Sequence, residues 1–327
     1  MIYLNELQQL KENKNLLAFS AGVDSSALFF LLLDNNIMFD IALINYGLRE
    51  QSKEEERYAI ELAKKYNLKV YTKKAPLFQN NFEKNARDFR YDFFDELMEE
   101  HHYTNLITAH QLNDQLEWLL MRLCKGSGAS ELIGLTSLST RKEYTLVRPI
   151  LHHSKEELLN YLKSNSNKYF IDDSNYDEKY ERNYFRKNFS DELIKKYKNG
   201  IQKSFEYIKE DKEILMGGYE EIFNYKELYI LEINNPQIRI RVIDKYLKKL
   251  GYILSSGQRS ELKKEKSIVI SGLWVVEVIE DKIYIAPYIK EIMPKRYKEA
   301  CRIAKIPLKI RGYIYREQIT PKLLVGL

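Results

Sequence analysis

The residues of this chain best suited to chemistry are Ser20, Ala21, Gly22, Val23, Asp24 and Ser25, a small polar turn between the apolar runs 16–19 and 27–33. An apolar run that breaks into such a turn and resumes with helical character reads as strand, loop and helix. Backbone N–H groups and the positive end of the helix dipole converge there, so an anionic phosphate can be held with few side chains in the way. Asp24 adds a carboxylate able to hold magnesium beside the phosphates, and Ser25 a hydroxyl able to bond them. The ordinary alternative is a strand-to-helix turn capped by Ser20 or Asp24.

A second set begins at His110. If a helix opens directly after it, Asp114 and Glu117 share one face with it. Three acceptors so placed can hold magnesium, bind an ammonium group or act as a base. A solvated helix start whose acids favour the N-terminal dipole is the alternative. Zinc is disfavoured because the second His of a helical pair is missing. The run 179–187 mixes Arg182 and Arg186 with Tyr184 and Phe185. That composition suits phosphate contact and base stacking, or else an amphipathic helix with Tyr184 or Phe185 in the core. His101, His102, His152 and His153 lack partners at ligand spacing and read as surface residues.

The elements that must position these residues alternate. Strands are predicted at 16–19, 41–46, 68–73, 105–109 and 145–150, with helices at 27–33, 53–66, 82–100 and 112–123, the signature of a parallel sheet wrapped by helices. Ligands collect at the carboxyl ends of such strands, where Ser20, Asn45 and His110 fall. Ser154 and Glu157 form a capping box for a helix over 154–163. A charged helix over 195–212 ends near Gly217 and Gly218, and 274–279 with 282–286 reads as an antiparallel hairpin. The fold class is therefore α/β, a parallel-sheet domain over 1–205 followed by a linker helix and a second, smaller α/β domain over 206–327. Basic residues between 295 and 309, including Arg296, Lys298, Arg302 and Lys305, suit an acceptor stem or an ordinary solvated face equally.

The 20–25 turn is neither GxxxxGK[ST] nor GxGxxG. It resembles the SGGxDS loop of the PP-loop ATP pyrophosphatases, with Ala21 where that loop usually has Gly. Because alanine resists positive φ, residue 21 is expected in an ordinary conformation. The block from His110 through Asp114, Gln115, Glu117 and Arg122 to Gly126-Ser127-Gly128 is similar to the HxxxDQxExxLxRLxxGSG block of the tRNA(Ile)-lysidine synthases. Asn45-Tyr46-Gly47-Leu48-Arg49 resembles their DHGLR segment, and Glu83, Ala86-Arg87 and Arg90-Tyr91 their E-x-x-AR-x-x-RY helix. Arg148-Pro149-Ile150-Leu151 and the stretch from Asp172 through Arg182-Asn183 to Arg186 resemble RPLL and D-x-SN…RN-x-x-R. Gln111 and Asn113 depart from the usual His and Asp, and Asn45-Tyr46 from Asp-His.

The resemblance implies an adenine nucleotide α-hydrolase-like fold and a two-step ligation. ATP adenylates the C2 carbonyl oxygen of the wobble cytidine in a CAU-anticodon isoleucine tRNA, and the ε-amine of free L-lysine displaces AMP. On that footing Ser20 to Ser25 cradle the pyrophosphate with Asp24 on magnesium. Asp114 and Glu117 place the lysine, and one of them or His110 takes its proton. Arg87, Arg122, Arg148, Arg182 and Arg186 contact phosphate or tRNA.

Bulk properties fit this reading without requiring it. A net charge of +5 over 327 residues permits a nucleic-acid partner. Cys124 and Cys301 form no CxxC, which disfavours a zinc ribbon, a redox pair, an iron–sulfur site and the thiolating members of the PP-loop class. No secretory leader is recognised before the first strand, and the longest apolar run is far too short for a bilayer, so a cytoplasmic protein without membrane contact is expected. The chain leaves oligomeric state open, a homodimer included. An amide-forming PP-loop ligase and a silent RNA-binding protein are the competing readings. Ser20, Asp24, Ser25, Asp114 and Glu117 together argue against the silent binder.

Overall fold

The computed structural model describes residues 2–47, 51–78, 80–171 and 181–325. Leu48 and Arg49, like 172–175, lie outside the described residues. Two compact units divide the chain, Met1–Lys209 and Glu210–Leu327.

The first unit runs α1 (Leu7–Lys11), β1 (Asn15–Ala18), α2 (Val23–Asp34), β2 (Phe39–Asn45), α3 (Gln51–Tyr66), β3 (Val70–Lys74), α4 (Phe82–Glu100), β4 (Asn105–Ile107) and α5 (Leu112–Cys124). It continues through α6 (Ala129–Leu132), β5 (Leu138–Arg141), β6 (Tyr144–Val147), α7 (Lys155–Ser164), α8 (Glu181–Phe185) and α9 (Asp191–Met216), whose residues from Glu210 belong to the second unit. A π-helical turn, Arg186–Ser190, joins α8 to α9. The sheet order is β3-β2-β1-β4-β6-β5, parallel except for β5. The chain moves outward from β1 through β2 to β3, then returns to place β4 on the other side of β1. The loops after β1 and β4 therefore diverge, leaving the crevice in which open α/β sheets bind ligands.

Each predicted strand of this sheet is present within a few residues. The unpredicted β5 is a short Leu-Ser-Thr-Arg strand paired antiparallel to β6, too polar to announce itself by apolar periodicity. Helix α2 begins at Val23, earlier than the apolar run suggests, because the Gly22 carbonyl already accepts the Ser26 N–H at 2.9 Å. Its residues 25–32 are all buried. Phe29 packs against Phe19, Phe30, Phe39 and Tyr66 with ring centroids 5.2–5.8 Å apart. Burial on that scale stabilises by about 1.5–3 kcal/mol per large side chain. Leu158 and Leu162 of α7 join the same core, and the Ser154–Glu157 capping box starts α7 as predicted.

The surface assignment of His152 and His153 is overturned. The turn after β6 tucks beneath the N-terminal segment, where His153 Nε2 lies 2.8 Å from Tyr3 O and His152 Nδ1 2.7 Å from Asn5 Nδ2. Burial pushes both imidazoles below the ordinary value, His152 to about 4. Of the residues offered to the core, Tyr184 is exposed and Phe185 half-buried. The short α8 has no buried residue.

The second unit comprises β7 (Tyr219–Tyr225), β8 (Leu228–Ile233), α10 (Arg239–Lys249), α11 (Ser256–Lys264), β9 (Ser267–Ile270), β10 (Trp274–Ile279), β11 (Lys282–Pro287), α12 (Lys295–Ile303) and α13 (Arg311–Arg316). Its antiparallel sheet has the order β7-β8-β11-β10-β9, and β10–β11 is the predicted hairpin. Alternate residues enter opposite cores: Tyr229, Leu231 and Ile233 pack with α10, and Leu228 and Ile230 with α12 and α13. Both faces of the sheet are thus covered. Gly312 lets α13 approach the backbone, since a Cβ there would lie 1.9 Å from Ile289 O. Gly312→Ala is expected to destabilise this unit by about 1–3 kcal/mol, read as a lower urea midpoint; an unchanged midpoint would show that the contact relaxes freely.

Candidate active site

The turn after β1 is held closed by its own hydroxyls. Ser25 Oγ lies 3.0 Å from Ser20 Oγ, accepts the Ser20 N–H at 3.2 Å and donates to Gly22 O at 3.3 Å. Gly22 is the residue preceding α2, with an ordinary φ of −73°. The expectation for Ala21 is corrected: its φ is +58°. A left-handed alanine costs about 1–2 kcal/mol. It is held because Ala21 is wholly buried and its carbonyl accepts the Phe170 N–H at 2.9 Å. The conformation that a second glycine would supply is thus retained, and the first turn of α2 presents its N–H groups outward.

Asp24 stands in that first turn. Its Oδ1 is buried without a hydrogen-bond partner. Burial, then the charges of Asp114 and Glu117, raise its carboxyl to about 7 against the pull of Lys155 and Arg186. An orphaned carboxylate oxygen at a helix N-terminus fits magnesium, which takes one or two protein carboxylates and completes its shell with phosphate oxygens and water. Among the described residues no three His, Cys, Asp or Glu side chains cluster to hold a metal unaided.

The β4 end supplies the other wall. His110 Nδ1 is 2.9 Å from Thr108 Oγ1. Burial and the nearby Arg148, Arg182 and Arg90 outweigh Asp114 and lower the imidazole to about 4, so it is neutral at pH 7. Helix α5 opens at Leu112, as expected from the sequence. Gln111 is the N-cap, accepting the Asn113 N–H at 2.6 Å, and Asp114 Oδ2 accepts the Gln111 N–H at 2.9 Å. The capping alternative for Asp114 is therefore real, and it occupies only one of the two carboxylate oxygens.

The other oxygen enters an ion-pair cluster with Glu117. Arg182 donates from Nε to Glu117 Oε2 at 2.7 Å and from an Nη to Asp114 Oδ1 at 2.5 Å. Arg186 donates from Nε to Glu117 Oε1 at 2.6 Å and from an Nη to Glu117 Oε2 at 3.1 Å. Glu117 is wholly buried, whereas the Arg182 side chain is 43% exposed. Burial acts most strongly on both carboxyls and upward. Arg182, His110, Arg186 and the Gln111 N–H carry Asp114 below its ordinary value, while Asp114 helps burial hold Glu117 above its own.

Asp24, His110, Asp114, Glu117, Arg182 and Arg186 are thus brought together, through contact or mutual charge. Arg148 is buried, donating to Thr136 O at 2.8 Å and Ser139 Oγ at 3.0 Å, with its Nε unpartnered. Burial, with the nearby Arg87 charge, holds its guanidinium below the ordinary value. Arg122 instead lies 4.4 Å over the Trp118 ring. Motif reading overlooks the Gln111 cap, although Gln111-x-x-Asp114 has capping-box spacing. It also overlooks Asn113, whose partners are distant in sequence, and Glu56, which accepts from Asn45 Nδ2 at 2.6 Å.

Comparison with known proteins places this geometry among relatives. The PP-loop domain model matches residues 2–193. The chain is 44% identical over 313 residues to the tRNA(Ile)-lysidine synthase of Campylobacter jejuni strain RM1221, covering 96% of each chain. It is 44% identical to that of Wolinella succinogenes, covering 96% of this chain and 97% of the relative. For that of Helicobacter pylori strain 26695 the identity is 40%, with 96% and 93% covered. Among solved structures, the U34-tRNA thiolase NcsA of Methanococcus maripaludis aligns with a TM-score of 0.50 at 17% identity, covering 62% of this chain and 77% of that one. That likeness concerns the fold alone.

Two outcomes follow from the electrostatics. A carboxyl whose native pKa is raised favours the folded state while protonated. The Asp24 contribution is therefore full below its ordinary value of 3.8 and is lost as pH climbs through about 7. In metal-free protein Asp24→Asn should be more stable than the parent at pH 8, by up to about 4 kcal/mol, with the gap closing towards pH 4 in thermal melts. A gap independent of pH would contradict the assignment. Glu117→Ala leaves two guanidinium groups without their buried partner and should cost about 3 kcal/mol by chemical denaturation; a cost near zero would mean that both arginines relax into solvent.

Proposed function

The chain belongs to the tRNA(Ile)-lysidine synthase family and carries its PP-loop domain, and from that premise we propose that it joins free L-lysine to C2 of the wobble cytidine of CAU-anticodon isoleucine tRNA in two steps at the β1–β4 crevice. The observation that carries this reading is the meeting of Asp24, at the phosphate-type loop, with the Asp114–Glu117 pair close enough to shift its titration.

In the first step the triphosphate of ATP lies along the N-terminus of α2, where the outward N–H groups and the helix dipole receive it. Ser25 sets the width of the cradle through its bonds to Ser20 and Gly22. Asp24 is the residue that would hold magnesium, which when bound supplies positive charge against the leaving pyrophosphate. The cytidine C2 carbonyl oxygen attacks the α-phosphorus, the bond to the bridging oxygen breaks, and pyrophosphate departs. Arg148 and Arg87 give the His110 side of the crevice positive potential for the α-phosphate, and the neutral His110 hydrogen-bonds there without adding charge.

In the second step the lysine ε-ammonium is drawn to Asp114 and Glu117, competing with Arg182, the more exposed of the two arginines. The ammonium gives up a proton to the acid pair, the free amine bonds to C2, and AMP leaves with the C2–O bond electrons. Glu117, raised by burial and by Asp114, is the better proton acceptor of the pair. Residues 206–327 position the tRNA, with Lys295, Arg296 and Lys298 exposed on α12 as candidate phosphate contacts. No helix among the described residues is long and apolar enough to cross a membrane. The reading sets the reaction in the cytoplasm.

Labelled lysine incubated with ATP and isoleucine tRNA carrying a CAU anticodon should become tRNA-bound, with methionine tRNA unlabelled. Asp24→Ala should reduce turnover by roughly a hundredfold or more with tRNA affinity retained. AMP release without lysine transfer would favour another PP-loop chemistry, and tRNA binding without AMP a silent binder.

A further inference from the structure

Helix α5 meets the segment from α8 through the π-helical turn to the start of α9 in two places. At one, Glu117 takes both of its ion pairs from Arg182 and Arg186. At the other, one helical turn back on α5 and at the far end of the π turn, stands Asn113. Its Nδ2 donates to Asp191 Oδ1 at 2.8 Å, and its backbone carbonyl accepts the Ser190 hydroxyl at 3.2 Å. Its Oδ1 also accepts the Lys155 N–H at 3.3 Å, which ties in the start of α7. Asn113 is 4% exposed and Ser190 wholly buried. Two rungs thus cross the gap, an ion-paired one at 117/182/186 and a hydrogen-bonded one at 113/190–191, the latter part-buried because Asp191 itself is exposed. The widened π turn between Arg186 and Ser190 sets the spacing that lets both form.

The hydrogen-bonded rung has a chemical requirement. The ion-paired rung restrains distance but leaves the two segments able to pivot about it, and a second rung restricts that freedom. At position 113 the group facing Asp191 must donate, while the group facing the Lys155 N–H must accept. An amide does both in one orientation. A carboxylate at the buried position 113 would set its oxygens against the Asp191 carboxylate, at the residue directly preceding Asp114.

We infer that Asn113 is a positioning residue for the lysine-transfer step, setting the register of the Asp114–Glu117 pair against Arg182 and Arg186, and that this role requires an amide because its partner is Asp191. The inference rests on the reaction proposed above, and the adenylation step, which uses the α2 loop, lies outside it.

The test moves the amide across the pair. Asn113→Asp, Asp191→Asn and the double exchange are compared for lysine kcat/KM and for pyrophosphate release with tRNA and ATP in the absence of lysine. Asn113→Asp should lower lysine kcat/KM roughly tenfold or more, mostly through KM, with pyrophosphate release within about threefold of the parent. The double exchange, which restores one donor facing one carboxylate, should recover lysine kcat/KM to within about threefold. The inference is overturned by an Asn113→Asp enzyme of parental lysine kcat/KM, by equal losses in both half-reactions, or by a double exchange no better than the single variant. Should Asn113→Asp fail to fold, Ser190→Ala deletes only the hydroxyl contact to the Asn113 carbonyl and is read the same way. A selective loss there supports the inference, and parental kinetics overturn it. A parent enzyme that transfers no lysine sinks the reaction itself, whereas an active parent with an equally active Asn113→Asp sinks only the positioning role.

Discussion

The neutralisation of Glu117 is the constraint on which the crevice depends. A carboxylate with no exposed surface is tolerable only if its oxygens are saturated by donors and its charge is matched nearby. Arg182 and Arg186 do both, through paired nitrogens that a lysine side chain could not imitate. Because the guanidinium groups come from a segment some 65 residues further along the chain, α8 and the π turn are pinned across α5. Asp114 benefits in turn, since the same cations that neutralise Glu117 depress its own carboxyl.

The site's titratable groups are driven apart by their surroundings. Asp24 is pushed up to about 7 and His110 down to about 4, so near neutral pH the histidine is uncharged and one acid stands at its midpoint. Environments that separate pKa values in this way are characteristic of sites where protons and cations change hands. Asp24, Asp114 and Glu117 repel one another, and the charges of Lys155, Arg182 and Arg186 oppose that repulsion. Stability of the unliganded crevice is lower than it would be with neutral residues there, a common cost of functional sites.

Backbone strain is stored at Ala21, two residues before α2 begins at Val23. Its left-handed conformation is enforced by the Phe170 N–H on its carbonyl and by close packing around its methyl group, an instance of surroundings over-determining an unfavourable torsion. The rule that alanine avoids positive φ is sound as a preference worth about 1–2 kcal/mol. Tertiary contacts here exceed it.

The sequence by itself determined what is local. Helix α4 was legible to the residue, as was the Ser154–Glu157 box, and the β10–β11 hairpin to within one residue, because periodicity, capping chemistry and turn residues act over a few positions. The shared face of Asp114 and Glu117 was legible for the same reason. What only the tertiary structure decided is which charges and hydrogen-bonding groups meet. Sequence leaves Arg182 and Arg186 as candidate phosphate or tRNA contacts, leaves Asn113 as a polar residue at a helix start, and leaves His152 and His153 as surface residues. Their partners lie far along the chain or on other elements, and a side chain carries no record of what it will face. Ala21 shows the same limit in the backbone: a local preference sets the cost of a conformation, and the sum of distant contacts decides whether that cost is met.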